Sequence, residues 1–206
     1  MKICIVDYGV GNVHNALKAF QLYATDCAMT DNAEELLSAD AIVLPGVGAF
    51  EAGMQGLRDR TLIDAVKEVH AQEKPIMGIC LGAQLLMSTS YEFGEHAGLN
   101  IIPGDVLRFQ DIGERIPHIG WNEIEPAQEW DGSIFEGIGS NPEMYFVHSY
   151  YMKPSVAEHG LATTTYGDFS FTSVIRQNNV FGCQFHPEKS GKTGLKIIEN
   201  FVRLME

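Results

Sequence analysis

One cysteine in this sequence stands where a nucleophile would. Cys80 lies in Pro75-Ile76-Met77-Gly78-Ile79-Cys80-Leu81-Gly82-Ala83-Gln84-Leu85-Leu86, an apolar strand pattern that runs into Gly-x-Cys-x-Gly and then into an apolar helical stretch. This is the cysteine form of a nucleophile elbow, in which a glycine on each side permits the tight strand-to-helix turn that presents the side chain. A thiol so placed sits at the carboxyl end of a strand and the amino end of a helix, where free N–H groups and the helix dipole favour thiolate. Cys4, Cys27 and Cys183 lack that setting and read as the buried, inert residues that free cysteines usually are.

Such a nucleophile works with a base and a group that orients the base. His186 meets the first need: Gly182-Cys183-Gln184-Phe185 is strand-like and His186-Pro187-Glu188 follows at its end. Pro187 stops the strand, and Glu188 is near enough in the chain to hold the imidazole in one tautomer. Acyl transfer also needs N–H donors for the oxyanion. The N–H of Leu81, next after the nucleophile, is one candidate. Pro45-Gly46-Val47-Gly48, which ends another short apolar run, is the second, because two glycines allow close backbone approach and let a peptide reorient.

Other chemistries fail on single residues. Gly9-Val10-Gly11 follows a strand pattern and opens a helix, but the third glycine of a dinucleotide fingerprint is replaced by His14. Gly191-Lys192-Thr193 resembles the end of a phosphate loop whose first glycine would fall where His186 stands. His118 and His148 have no third ligand at useful spacing and the cysteines form no C-x-x-C pair, so neither a metal nor another cofactor is expected. Against 27 Asp and Glu there are only 14 Lys and Arg, a net charge of -13 that repels nucleic acid and anionic membrane surfaces. Ile3 to Val6 is too short for a signal peptide, and no stretch reaches ~18 uninterrupted apolar residues. A soluble cytoplasmic protein with reduced thiols is the expectation.

These residues need a scaffold, and 206 residues at 45% hydrophobic content can build one globular α/β domain spanning 1–206. Ile3 to Val6, Ala41 to Leu44 and Ile76 to Ile79 read as buried parallel strands, with helical spacing at Asn12 to Leu22 and Leu57 to Val69 between them. The second half is richer in strands: Ile101 to Phe109, Trp121 to Ile124, Met144 to Tyr151, Gly160 to Tyr166, Phe171 to Arg176 and Val180 to Phe185. The expected sheet is therefore mostly parallel, with helices on both faces and an antiparallel extension. Leu195 to Met205 reads as a closing amphipathic helix.

Taken together, P-G-V-G at 45 to 48, G-I-C-L-G-A-Q-L-L at 78 to 86 and F-H-P-E-K-S at 185 to 190 resemble the class I glutamine amidotransferases. D-Y-G-V-G-N at 7 to 12, P-H-I-G-W-N at 117 to 122 and Y-F-V-H-S-Y at 145 to 150 resemble, within that family, the glutaminase subunits that serve imidazole glycerol phosphate synthesis in histidine biosynthesis. The resemblance implies that Cys80 attacks the amide of glutamine, with His186 as base and then acid and Glu188 as its orienter. Val47 and Leu81 would donate to the oxyanion. Gly48, Gln84, Glu92, His148 and Ser149 match the glutamine pocket, and Asn12, Asn15, Trp121, Asn122, Tyr145 and Lys189 match the face that meets a partner.

The pattern takes up the whole chain, so by resemblance the acceptor chemistry belongs to a separate (β/α)8-barrel cyclase, bound as a heterodimer. Asn12 also suits a helix N-cap, Trp121 a core position and Tyr145 a strand position packed on it. A glutaminase serving an amino-sugar synthase of surface-polysaccharide synthesis, a free-standing γ-glutamyl hydrolase and a non-catalytic binding subunit remain alternatives. Ala83 stands where relatives often carry Met, and Met87 to Tyr91 replaces a commoner acidic run.

Overall fold

Uninterrupted apolar runs form the centre of the sheet because both of their faces are covered. In this computed structural model, which describes residues 1–11, 13–110 and 112–204, the strands Ala41–Leu44, Ile76–Ile79 and Val180–Cys183 are buried at every position. They lie side by side and parallel, continued on one edge by Lys2–Val6 and then Asp26–Thr30. Side-chain alternation sends Ile3, Ile5, Val43 and Met77 to one face and Cys4, Val6, Ile42 and Leu44 to the other. Helices Val13–Phe20 and Gly191–Arg203 pack on the first face; Ala33–Ser38, Phe50–Asp59, Leu62–Ala71 and Leu81–Leu85 pack on the second.

On the other edge the sheet turns antiparallel, through Phe169–Gln177, Tyr150–Pro154 and Gly104–Arg108, with Gly160–Tyr166 folded against Phe169–Gln177. A separate two-stranded ribbon joins His118–Glu123 to Glu143–His148. This is the α/β fold expected from the sequence, antiparallel extension included.

Individual boundaries differ for physical reasons. Met144 to Tyr151, expected as one strand, divides at Ser149: the first part pairs in the ribbon and the second enters the main sheet. His148 closes that corner, its Nδ1 lying 2.7 Å from the carbonyl oxygen of Tyr150. Ile101 to Phe109 shortens to Gly104–Arg108, because the amides of Ile101 and Ile102 both donate to Leu86 O, behind the elbow helix, instead of pairing in the sheet. Leu57 to Val69 is two helices, broken where Thr61 takes φ 55°. The Asn12 to Leu22 pattern forms Val13–Phe20, Asn12 lying outside the described residues, and the last helix begins at Gly191, ahead of Leu195, with Met205 outside the described residues. Asp26–Thr30 and Ala33–Ser38 are not marked in the pattern, since DCAMT and AEELLS are too short to show an unbroken apolar run or a helical repeat.

Parallel strands put their carboxyl ends at one edge, and the site residues follow the three central strands there: Pro45 after Leu44, Cys80 after Ile79, His186 shortly after Cys183. The helix after Cys80 is held hard against the neighbouring strand. A Cβ on Gly82 would lie 1.7 Å from the carbonyl oxygen of Leu44, and one on Gly78 would lie 2.7 Å from Ala83 N. We expect Gly82→Ala to destabilise the chain by about 3 kcal/mol or more, at the top of the overpacking range because backbone cannot yield as a side chain can. Gly139→Ala, where a Cβ meets nothing within 4 Å, is expected to stay within about 0.5 kcal/mol of the unmodified chain. Urea denaturation compares them, and equal midpoints would contradict this packing.

Candidate active site

The turn that carries Cys80 is strained. Its φ of 52° and ψ of -106° are unusual for any residue with a side chain, and glycines at 78 and 82 let the chain enter and leave the turn. The Cys80 N–H is tied to the carbonyl oxygen of Cys183 at 2.7 Å, across the strand pair that leads to His186. Of four free thiols, burial pushes Cys4, Cys27 and Cys183 up, Cys27 to about 12, which keeps them protonated and inert.

His186 is oriented by Glu188, whose Oε1 lies 2.9 Å from Nδ1; both side chains are 1% exposed. Burial by itself would lower the imidazole pKa, but the Cys80 thiol and the Glu188 carboxylate outweigh it and raise His186 to about 9. Nε2, the nitrogen that Glu188 leaves over, is buried without a hydrogen-bond partner among the described residues. Cys80 and His186 are thus near enough for their charges to act on each other, though short of a formed hydrogen bond, a spacing common before substrate tightens a site.

The proposed oxyanion donors are in a different state from the one catalysis needs. Leu81 N–H donates to the carbonyl oxygen of Gly46 at 3.3 Å. Because a peptide is planar and trans, a Gly46 carbonyl turned toward Leu81 turns the N–H of Val47 the opposite way. The preceding carbonyl, that of Pro45, accepts a hydrogen bond from the buried Tyr8 hydroxyl, and a Cβ on Gly46 would meet that hydroxyl at 2.6 Å. Backbone freedom in P-G-V-G is therefore used for close packing as well as for reorientation.

A cavity of about 370 Å³ opens over Cys80, lined by all five residues expected for glutamine, Gly48, Gln84, Glu92, His148 and Ser149, together with Val47 and Leu81. Three of the five already bond within the protein through their side chains. Gln84 Nε2 donates to Tyr150 O and to Gln184 Oε1, each at 3.1 Å, and both ring nitrogens of His148 are bonded within the protein. Glu92 Oε2 accepts the Phe50 N–H at 2.5 Å, which fixes the carboxylate at the start of Phe50–Asp59. The sequence reading missed Arg108 and Phe93 on the same cavity. Arg108 sits at the end of a strand that predicted no site, and Phe93, 88% exposed, lies just beyond the Met87 to Tyr91 segment. Glu92 and Arg108 give the cavity one charge of each sign, as a zwitterionic amino acid requires.

Expected partner-face residues divide into groups. Trp121 and Tyr145 are cross-strand neighbours in the ribbon, in edge contact at 6.1 Å, and Lys189 Nζ stands 5.9 Å from the Tyr145 ring centre. Trp121 is 54% exposed, which rules out the core position that its type also suited. Asn122 faces the opposite side of the ribbon, its amide directed to His118 and to Thr165 O. Asn15 lies on Val13–Phe20, beside Asp7, His14 and Met29, and Asn12 is outside the described residues.

The family pattern described as glutamine amidotransferase class-I matches residues 4–205. The imidazole glycerol phosphate synthase subunit HisH 1 of Legionella pneumophila (strain Paris) is 44% identical over 210 residues, covering 98% of this chain and 99% of the relative. The corresponding HisH of Acaryochloris marina (strain MBIC 11017) is 46% identical over 205 residues, covering 99% and 95%. The fold recurs in a crystal structure of a glutamine amidotransferase, with TM-score 0.76 at 19% identity over 98% of this chain and 98% of that one. It recurs also in PurLQS from Thermotoga maritima, with TM-score 0.74 at 17% identity over 100% and 99%. An elbow cysteine beside a His–Glu pair, on a sheet of this topology and in a sequence matched almost end to end, places the chain in the class-I glutamine amidotransferases, close to the HisH proteins.

Proposed function

We propose that this chain hydrolyses glutamine to glutamate and ammonia and passes the ammonia to a (β/α)8-barrel cyclase, as the glutaminase half of imidazole glycerol phosphate synthase. The observation that carries the reading is the Cys80 elbow set beside the buried His186–Glu188 pair, over a cavity that offers Glu92 and Arg108 to an amino acid. The HisH names of relatives at 44% and 46% identity favour histidine biosynthesis over an amino-sugar acceptor.

In this reading His186, held charged by a pKa of about 9, already carries the proton that Cys80 has given up, and the Cys80 sulfur attacks the carboxamide carbon of glutamine. The tetrahedral intermediate collapses as imidazolium gives its proton to the leaving nitrogen, which departs as ammonia and leaves a γ-glutamyl thioester. Water then adds to the thioester with His186 as base, and glutamate leaves with Cys80 restored. Glu188 holds Nδ1 throughout. The oxyanion of each step needs the N–H groups of Leu81 and Val47. With Gly46 O accepting from Leu81, the resting chain offers neither, and loss of one such donor costs about 3 kcal/mol of transition-state stabilisation. Docking of the partner would favour the turned peptide and so couple turnover to a ligand on the cyclase.

Ammonia freed into water becomes ammonium and is lost as a nucleophile, so delivery needs a docked acceptor. The ribbon supplies a surface for one: Ile119 and Trp121 are 59% and 54% exposed, with Val147 and Tyr145 paired opposite them on the same face. No helix among the described residues is long and apolar enough to cross a membrane, which agrees with the cytoplasmic location we assign.

Glutamate release by the chain alone is expected to fall about 10²-fold or more below that of its complex with cyclase and cyclase ligand, the effect of a missing oxyanion donor. Cys80→Ala should release none in either setting; equal rates with and without partner would contradict the reading. A second expectation concerns His186, raised from the ordinary 6.5 to about 9. Its charged form contributes stability that is full below 6.5 and lost as pH rises through about 9. Replacing Cys80 by Ala removes one partner while burial persists, so the His186 pKa should fall. NMR titration of the ring checks this, and an unchanged value would contradict the coupling.

A further inference from the structure

From the cavity wall inward runs a series of buried polar side chains that take no part in the bond changes of the reaction. His118 and His148 are 2% and 6% exposed, and Nδ1 of His118 lies 3.1 Å from Nε2 of His148. His118 is stacked between Phe146 and Tyr166, while Phe109 and Phe171 flank His148. The titratable rings facing the pair are His186 and Tyr166, and burial lowers His118 to about 4 and His148 to about 3, so both are neutral at physiological pH.

For two neutral rings one proton arrangement satisfies every contact. The Tyr150 carbonyl can only accept, so Nδ1 of His148 at 2.7 Å carries the hydrogen and Nε2 is the acceptor. His118 must then donate from Nδ1, which leaves its own Nε2 as an acceptor facing Asn122 Nδ2 at 3.3 Å. The Asn122 amide cannot turn over, because its other N–H donates to Thr165 O at 2.9 Å and its oxygen accepts from Glu123 N. Tyr150 O accepts a second bond from Gln84, whose other N–H reaches Oε1 of the fully buried Gln184. That leaves the amide N–H of Gln184 directed at the Cys80 sulfur, 3.8 Å away.

We propose that Asn122, His118, His148, Gln84 and Gln184 form one connected hydrogen-bond network whose two arms meet at the Tyr150 carbonyl, which positions the pocket wall at Ser149 and Tyr150, presents an N–H to the Cys80 sulfur, and ties both to the ribbon whose outer face carries Trp121. All five are positioning residues; none takes a proton in turnover. The histidine arm has a direction, since each histidine must receive at Nε2 and give at Nδ1, the reverse of the tautomer that imidazole prefers in water. A shift of the ribbon that parts Asn122 from His118 would strand a buried acceptor at His118 Nε2 and, by displacing the Tyr150 carbonyl that both arms share, disturb the Gln84–Gln184 arm that reaches the sulfur. Only the link to turnover rests on the glutaminase reading; the bonding pattern stands apart from it.

Two experiments on the intact chain test the proposal without glutamine or partner. In ¹⁵N NMR of the histidine rings, His118 and His148 should both hold hydrogen at Nδ1 and none at Nε2 from pH 8 down to about pH 5. Either ring in the Nε2–H form, or titrating near 6.5, would overturn the chain. Iodoacetamide labelling at Cys80, read by peptide mass spectrometry at pH 7, should slow about 10-fold in Gln184→Met and about 3-fold in Asn122→Leu. The double variant should be no slower than Gln184→Met, because the two changes break the same connected series. Multiplied effects of about 30-fold would refute connection, and unchanged labelling in Gln184→Met would refute the sulfur contact. Absence of glutamate release by the complex would count against the glutaminase reading and leave both results standing.

Discussion

The close contact between Gly82 and the carbonyl oxygen of Leu44 governs how this site is built. It seats the short helix Leu81–Leu85 directly on the strand Ala41–Leu44, so the segment after that strand has to pass over the amino end of the helix. The Gly46 carbonyl thereby lands on the Leu81 N–H, and the Pro45 carbonyl on the Tyr8 hydroxyl. A side chain at residue 82 would push these layers apart, and with them Cys80, the proposed oxyanion donors at Leu81 and Val47, and the Gly46 carbonyl. Strain at Cys80 follows from the same contact: a turn this tight leaves positive φ as the way to bring the chain from strand to helix.

Charge is managed differently on the two sides of the thiol. On one side stand ionisable groups, the buried His186–Glu188 pair beside Cys80 and, on the cavity, the carboxylate and guanidinium of Glu92 and Arg108. On the other side, polar groups are neutral and bonded to one another, from Asn122 through the histidine pair and Gln84 to Gln184. A buried histidine pair near the His186 imidazole would compete for its proton if its own pKa were ordinary. Desolvation by the surrounding aromatic rings removes that competition.

How much of this could be read in the sequence depended on whether a feature was local. Glycines flanking Cys80, and His186 ahead of Pro187, announce their turns within a few residues, and Ala41–Leu44 and Ile76–Ile79 were bounded correctly because two-sided burial leaves an unbroken apolar run. Ser149 gave no such notice: a strand that changes sheets keeps its alternation, and only the His148 ring bonded to Tyr150 O marks the corner. Arg108 and Phe93 reach the cavity from strand and loop positions whose role depends on tertiary placement. Asn122 was expected on the partner face beside Trp121, yet strand alternation points the two in opposite directions.

Central to the proposed control of turnover is the Gly46 carbonyl holding the Leu81 N–H in the resting chain, and the most direct test is to place a tetrahedral oxyanion on Cys80. A crystal structure of the adduct with glutamate γ-semialdehyde, a stable mimic of the intermediate, would provide it. The Gly46–Val47 peptide is predicted to turn over, with the adduct oxygen about 3 Å from the N–H groups of both Leu81 and Val47. An adduct in which Leu81 still donates to Gly46 O, with the oxyanion held elsewhere, would contradict it.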